Sequence, residues 1–115
     1  MENFEREVLY YRASDGTVPF LAWLDGLQDK KIKSKVDTRL ALLEAGSLGQ
    51  WRLVGAGVLE LKIDFGPGYR IYLGQDGNRL VILLCGGNKA TQVEDILDAH
   101  KFWADYRRRK KGLRS

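Results

Sequence analysis

The stretch Val58-Leu59-Glu60-Leu61-Lys62-Ile63-Asp64-Phe65-Gly66-Pro67-Gly68-Tyr69-Arg70-Ile71-Tyr72-Leu73 decides how this chain folds. From Leu59 to Ile63 apolar and polar residues alternate, so Leu59, Leu61 and Ile63 share one face of a strand and Glu60 and Lys62 the other. A proline between two glycines then predicts a turn, and Tyr69-Arg70-Ile71-Tyr72-Leu73 the returning strand. Toward the C-terminus, Gln75-Asp76-Gly77-Asn78 predicts a second hairpin turn. Leu80-Val81-Ile82-Leu83-Leu84-Cys85 is apolar on both faces, as at the centre of a sheet. After Gly86-Gly87-Asn88-Lys89, the spacing of Val93, Ile96, Leu97, His100 and Trp103 predicts a helix over 91–110. Toward the N-terminus, Val8-Leu9-Tyr10-Tyr11-Arg12 predicts a first strand closed by Ala13-Ser14-Asp15-Gly16. Thr17 is placed to cap a short helix with Pro19 in its first turn and an end near Gly26. Asp29 is placed to cap a longer one built on Ile32, Val36, Leu40 and Leu43 and closed by Gly46. The expectation is an α+β domain: an antiparallel-dominated sheet of about four strands, an N-terminal αα-hairpin on one side and a C-terminal helix.

With 115 residues, 44% apolar and 30% charged, the chain has the composition of one folded domain spanning 1–115 and not of a disordered tail. Its opening carries acids where a secretory signal needs a basic and then an apolar stretch, and no apolar run approaches the roughly 20 residues that span a bilayer. A cytoplasmic protein with no membrane partner is expected. Cys85 is the one cysteine and His100 the one histidine, which removes an internal disulfide, a cysteine-based metal cluster and a two-histidine zinc site, and argues against a Ser-His-Asp hydrolase. Gly66-Pro67-Gly68 is a turn and not a phosphate loop, so neither metal nor cofactor is expected. The net charge of +4 is uneven: residues 101–115 hold seven cations against Asp105, giving +6 and leaving −2 for residues 1–100. Such a run attracts a polyanion, and the bland alternative is a solvated helix end.

The stretch Leu59-Glu60-Leu61-Lys62-Ile63-Asp64-Phe65-Gly66-Pro67-Gly68-Tyr69-Arg70-Ile71-Tyr72, followed by Leu83-Leu84-Cys85-Gly86-Gly87-Asn88-Lys89, strongly resembles the HigB-like addiction module killer proteins of the RelE/ParE toxin superfamily. Phe20-Leu21-Ala22-Trp23-Leu24-Asp25-Gly26-Leu27 and the helix from 30 to 43 match that family too, so the resemblance covers most of residues 8–100. It implies a RelE-like fold and a cytoplasmic toxin of a type II toxin–antitoxin system. The implied activity is that of a metal-independent endoribonuclease, an mRNA interferase that cuts messages on the ribosome and inhibits translation. The implied partners are a HigA-like helix-turn-helix antitoxin, the ribosome and its messenger RNA, with DNA reached only through the antitoxin complex. ParE-like members of the same superfamily poison DNA gyrase without being enzymes, and that alternative stays open.

Cleaving RNA without metal requires a base for the 2′-hydroxyl proton, cations for the charge developing on the phosphorane and an acid for the departing 5′-oxygen. The resemblance puts the family's phosphate-contacting arginine at Arg70, where a guanidinium can hold two phosphate oxygens. The alternative for Arg70 is an ion pair with Glu60 across the hairpin, and as a polar-face strand residue it is expected to contribute little to the core. Lys62 stands where relatives often carry arginine and is a phosphate ligand, a base if its pKa is lowered, or a solvated strand lysine. Lys89 matches the family's lysine just past the final strand. Tyr72 shares the face of Arg70 by alternation and either serves RNA, by stacking or as a proton donor, or is a core aromatic. Arg70, Lys89, Lys62 and Tyr72 form the expected catalytic set, and Arg52, Arg107, Arg108 and Arg109 the expected RNA-binding set. Many ribonuclease members carry a histidine in or directly after the final strand, where this chain has Cys85-Gly86-Gly87. His100, Trp23, Trp51 and Trp103 are expected to pack, with Leu97 and Trp103 also offering apolar area to a partner.

Overall fold

A computed structural model describes residues 5–114, with side chains as far as Lys111. Residues 1–4 of the acidic opening and Ser115 of the basic run lie outside the described residues. The elements are β1 (Glu7–Tyr10), α1 (Pro19–Gly26), α2 (Lys30–Glu44), β2 (Trp51–Leu53), β3 (Val58–Ile63), β4 (Tyr69–Asp76), β5 (Leu80–Asn88), a 3₁₀ turn (Lys89–Thr91) and α3 (Gln92–Arg114).

The strands form one mixed sheet in the order β1-β5-β4-β3-β2, with β1 parallel to β5 and the other pairs antiparallel. This overturns the expected antiparallel-dominated sheet of about four strands with an N-terminal helical hairpin, and with it the RelE-like fold that the resemblance implied. After β1 the chain crosses the sheet through both helices, enters at the far edge as β2, and meanders back until β5 lies beside β1. Periodicity reveals strands but not that crossing, and at three residues β2 is too short for alternation to register. Nor do the helices pair chiefly with each other: α1 packs on β5 and α2 reaches β1. Their apolar residues Phe20, Ile32, Val36 and Leu43 join Leu59, Leu61, Ile63, Ile71, Leu73, Val81 and Leu83 in one core layer. The opposite face is covered by α3, where Ala99 and Trp103 pack with Tyr11, Val58, Tyr72, Ile82 and Leu84. Strands β4 and β5 are therefore buried on both faces, which is why β5 reads as a continuous apolar run.

Local signals hold where local chemistry decides. Asp29 accepts a hydrogen bond from the Lys31 N–H at 2.8 Å and caps α2, and Gly46 at φ 102 closes it. Thr17 does not cap α1: its N–H and hydroxyl both bond Asp15 Oδ1, at 3.0 and 2.7 Å, so Val18 takes the cap position ahead of Pro19. Strand β5 continues three residues beyond Cys85. A bulge explains this, since Tyr72 faces Cys85 but Leu73 faces Leu83, so the extra Leu84 joins Cys85 in the core under α3. Beyond it, a Cβ on Gly86 would stand 2.3 Å from the Trp23 ring, and one on Gly87 1.7 Å from Asp95 Oδ2. The two glycines are thus strand residues at which helices from both faces touch the backbone, and not the end of the strand. Among the described residues no helix is long and apolar enough to cross a membrane.

Gly86→Ala forces its methyl into the Trp23 ring, so it is expected to lower the unfolding free energy by about 1–3 kcal/mol, as overpacking of a filled core does. Urea denaturation checks this against Gly26→Ala, where a Cβ meets nothing within 4 Å.

Candidate functional site

Where β2, β3, β4 and the start of α3 converge, the Glu60 carboxylate lies on the face of the sheet covered by α3, and the residue is only 4% exposed. Burying a carboxylate is costly unless its oxygens are satisfied. Arg52, its cross-strand partner on β2, donates from Nε at 2.8 Å; Tyr72, its partner on β4, donates its hydroxyl at 3.0 Å; and Gln92, the first residue of α3, donates from Nε2 at 2.9 Å. Burial pushes the Glu60 carboxyl up, but these three hydrogen bonds and the charge of Arg52 outweigh it and hold the group below its ordinary value. Burial, then Glu60 itself, pushes the Tyr72 phenol up, so Tyr72 stays a neutral donor.

Arg70 is the other buried charge, 6% exposed, with Nη1 donating to the Gly68 carbonyl at 2.8 Å. Its Nε stands 4.0 Å from Glu60 Oε2, and that buried N–H has no hydrogen-bond partner. Arg70 is thus pinned beside a carboxylate whose acceptor capacity other residues have taken. It lines two adjoining hollows. One, of about 560 Å³, is bordered by Trp51, Arg52, Glu60, Lys62 and Gln92. The other, of about 470 Å³, lies along the glycine turn and brings in Lys62 and Lys89. Arg39 fixes the wall of the first: from α2 it donates to the carbonyls of Lys62, Leu48 and Gln50, at 3.0, 3.2 and 2.7 Å. Four cations, Arg52, Lys62, Arg70 and Lys89, thus border the hollows against Glu60 and Asp64. Lys62 is itself paired with Asp64 at 3.3 Å, on the exposed side. Such an arrangement suits a phosphate or another compact anion.

The structure therefore brings together Arg70, Lys62, Lys89 and Arg52 of the residues singled out in the sequence. Tyr72 is fully buried, so it reaches the hollows only through Glu60. Arg107, Arg108 and Arg109 lie about 22–26 Å along α3 from Gln92, well away from the hollows. Sequence reasoning gave Glu60 no role beyond a partner for Arg70, passed over Gln92, and read Trp51 as a core anchor, although it is half-exposed on the wall of the first hollow. The available signal was a carboxylate flanked by leucines on a strand that proves buried on both faces. Within Cys85-Gly86-Gly87, where the resemblance led to the expectation of a histidine, both glycines are closely packed against helices. Asp95 fills the space over Gly87, its carboxyl pushed up by burial against the opposing hydrogen bond from Thr91. His100 lies elsewhere, with Nε2 2.8 Å from the Val54 carbonyl. Among the described residues no group of three or more His, Cys, Asp or Glu side chains is placed to hold a metal ion.

Compared with known proteins, the chain is 45% identical over 83 residues to a protein of Haemophilus influenzae described only as uncharacterized, a match covering 72% of this chain and 84% of that protein. No family model matches the chain, and no solved structure matches it.

Because the Glu60 carboxyl is held below its ordinary value, the ion contributes stability above the usual carboxylate range and loses it as pH falls through the folded value. Glu60→Gln removes the charge that Arg52 and Tyr72 bond, at an expected cost of about 2 kcal/mol at pH 7. The gap between wild type and variant should persist down to the ordinary carboxylate range and close as pH falls on through the lower folded value, where the wild type is itself protonated. Urea denaturation across that range is the measurement; an equal gap at both ends would show that the charge contributes nothing.

Proposed function

We propose that this chain, which belongs to one family with the Haemophilus influenzae protein, is the toxin of a type II toxin–antitoxin system and acts as a ribosome-dependent messenger-RNA endoribonuclease that inhibits translation. The observation that carries this reading is Arg70, a buried guanidinium with an unspent N–H, facing hollows that Lys62, Lys89 and Arg52 also border. Of the segments that resemble the HigB-like killer proteins, 59–72 supplies Glu60, Lys62 and Arg70 to this corner and 83–89 supplies Lys89. On this reading the scissile phosphate sits against Arg70, and the 2′-oxygen attacks phosphorus. The bond to the 5′-oxygen breaks, leaving a 2′,3′-cyclic phosphate and a 5′-hydroxyl that takes up a proton. Arg70 and the lysines stabilise the phosphorane charge in a partly dry site. Glu60, hydrogen-bonded by Arg52, Tyr72 and Gln92, is a positioning residue; the 2′-hydroxyl gives its proton to solvent water in the open hollows and the 5′-oxygen takes one up from it, while Arg70, Lys62 and Lys89 act as cations. Trp51 offers a half-exposed ring for an adjacent base.

A HigA-like antitoxin and the ribosome are the partners this reading requires. Trp103, expected to offer apolar surface, is buried between α3 and the sheet; among the described residues the exposed large apolar side chains of that helix are Val93 and Leu97. They stand one turn apart near its start, close to Gln92 and hence to the corner a neutralising partner must cover.

One observation favours a second reading, a non-enzymatic ParE-like toxin acting on DNA gyrase: Cys85-Gly86-Gly87 offers no histidine, and the Asp95 and Thr91 side chains occupy the space over Gly87. Primer extension on messages from cells expressing the protein separates the two. Discrete cuts within codons support the nuclease, whereas intact messages with DNA breaks support the gyrase poison.

Arg70 is buried, contrary to its expected exposure, so Arg70→Ala tests folding as well as chemistry and Arg70→Lys is the informative variant. It keeps a cation but loses the fork, and cleavage is expected to fall by about 10²–10³-fold with the circular-dichroism spectrum unchanged. Undiminished cutting by folded Arg70→Lys would remove Arg70 from the mechanism.

A further inference from the structure

A second cationic surface lies far from Arg70, around the C-terminal half of α3. A hollow of about 450 Å³ there is lined by Asp76, Trp103, Tyr106, Arg107, Lys110 and Lys111. A shallower groove of about 470 Å³, lined by Ala104, Arg107, Arg108 and Lys111, adjoins it. Arg107 and Lys111 border both.

The six described cations from Lys101 onward are not equivalent. Arg108 and Arg109 are both paired with Asp105. Arg109 also bonds the Arg12 carbonyl and lies over the Tyr11 ring, 5.5 Å from its centroid, so it ties α3 to the segment after β1. Lys110 is paired with Asp76, whose charge inside the hollow is thereby met. Among the described residues, Lys101, Arg107 and Lys111 have no ion pair; Lys101 lies farther up the helix, whereas Arg107 and Lys111 stand one helical turn apart on an exposed face. Like charges so placed repel one another. Nor is this a frayed end. The Trp103 ring seats against the backbone of Gly74, where a Cβ would lie 2.4 Å away, and its Nε1 lies 3.1 Å from the place of a Cβ on Gly57. Tyr106 stacks on it at 5.3 Å and 6° and bonds Asp76 at 2.8 Å.

The geometry points to Arg107 and Lys111 as a binding site for the sugar–phosphate backbone of structured RNA, separate from the Arg70 corner. A linear polyanion laid across the ridge between the hollows meets both cations. An acidic protein fits less well, because a protein interface needs apolar anchors, and the exposed large apolar side chains of the described chain all lie outside residues 100–111. Preference for RNA over DNA rests on the nuclease reading; the presence of a polyanion site does not.

The test is fluorescence anisotropy of the full chain with an RNA duplex of about 20 base pairs across a salt series, alongside a DNA duplex of matching sequence. Arg107→Gln with Lys111→Gln is expected to weaken RNA binding about tenfold at low salt and to flatten the logarithmic salt slope by nearly 2, about one for each lost phosphate contact. Arg109→Gln should flatten it by less than half as much and instead lower thermal stability. An unchanged slope in the double variant, or an equal loss in Arg109→Gln, overturns the assignment, as does tighter binding of the DNA duplex. The readout is equilibrium binding and not cleavage, so failure of the nuclease reading would show separately in primer extension.

Discussion

The Glu60 carboxylate is the constraint on which the candidate site depends. An ionised group buried between a sheet and a helix must find its hydrogen bonds nearby, and Glu60 takes them from three elements outside its own strand: Arg52 on β2, Tyr72 on β4 and Gln92 on α3. Each bond sets a distance between elements that apolar packing alone leaves adjustable, so one carboxylate fixes the short edge strand and the first turn of α3 onto the sheet. It also determines the state of Arg70. With the Glu60 oxygens occupied, Arg70 is held 4.0 Å away, close enough to be neutralised and too far to be satisfied.

The glycine pair of β5 constrains the site from the other direction. Gly86 lets Trp23 of α1 lie on the strand from one face, and Gly87 lets Asp95 of α3 lie on it from the other. The same absence of side chains that permits this close packing leaves the last strand with no group to offer the hollow, so chemistry there falls to cations from β2, β3, β4 and the 3₁₀ turn. What looks like a missing catalytic residue is, structurally, a packing contact made from both sides.

Charge on α3 illustrates why composition and surface are different quantities. The basic run holds its excess in sequence, yet Asp105 and Asp76 take up Arg108, Arg109 and Lys110, two of which secure the helix to the body of the protein. Among the described residues Lys101, Arg107 and Lys111 remain without ion pairs, and of these Arg107 and Lys111 adjoin on the helix. Counting charges in the sequence does not distinguish these cations from the paired ones.

Sequence alone determined the elements whose causes are local. The alternation from Leu59 to Ile63 and the Asp29 cap and Gly46 stop of α2 involve neighbours within one or two turns, or a single strand, and are legible without knowing what lies across the fold; the spacing of Val93, Ile96, Leu97, His100 and Trp103 located α3 but not its buried face, since Val93 and Leu97 are exposed and Ala99 is buried. The nearness of Lys62 to Arg70 was legible too, since a tight turn forces the register of its hairpin. Only tertiary structure decided that β1 pairs parallel with β5, that the helices pack on the sheet and not on each other, and that the strand resumes through two glycines after a bulge. It alone decided that Glu60 and Arg70 are buried. Polar residues on one face of a strand read as solvated unless a distant element covers them, and α3, which covers these, begins more than thirty residues after Glu60 and supplies the Gln92 bond that closes the site. Burial is a property of the assembled layers, set by contacts between residues far apart in the chain, and periodicity within a segment carries no record of it.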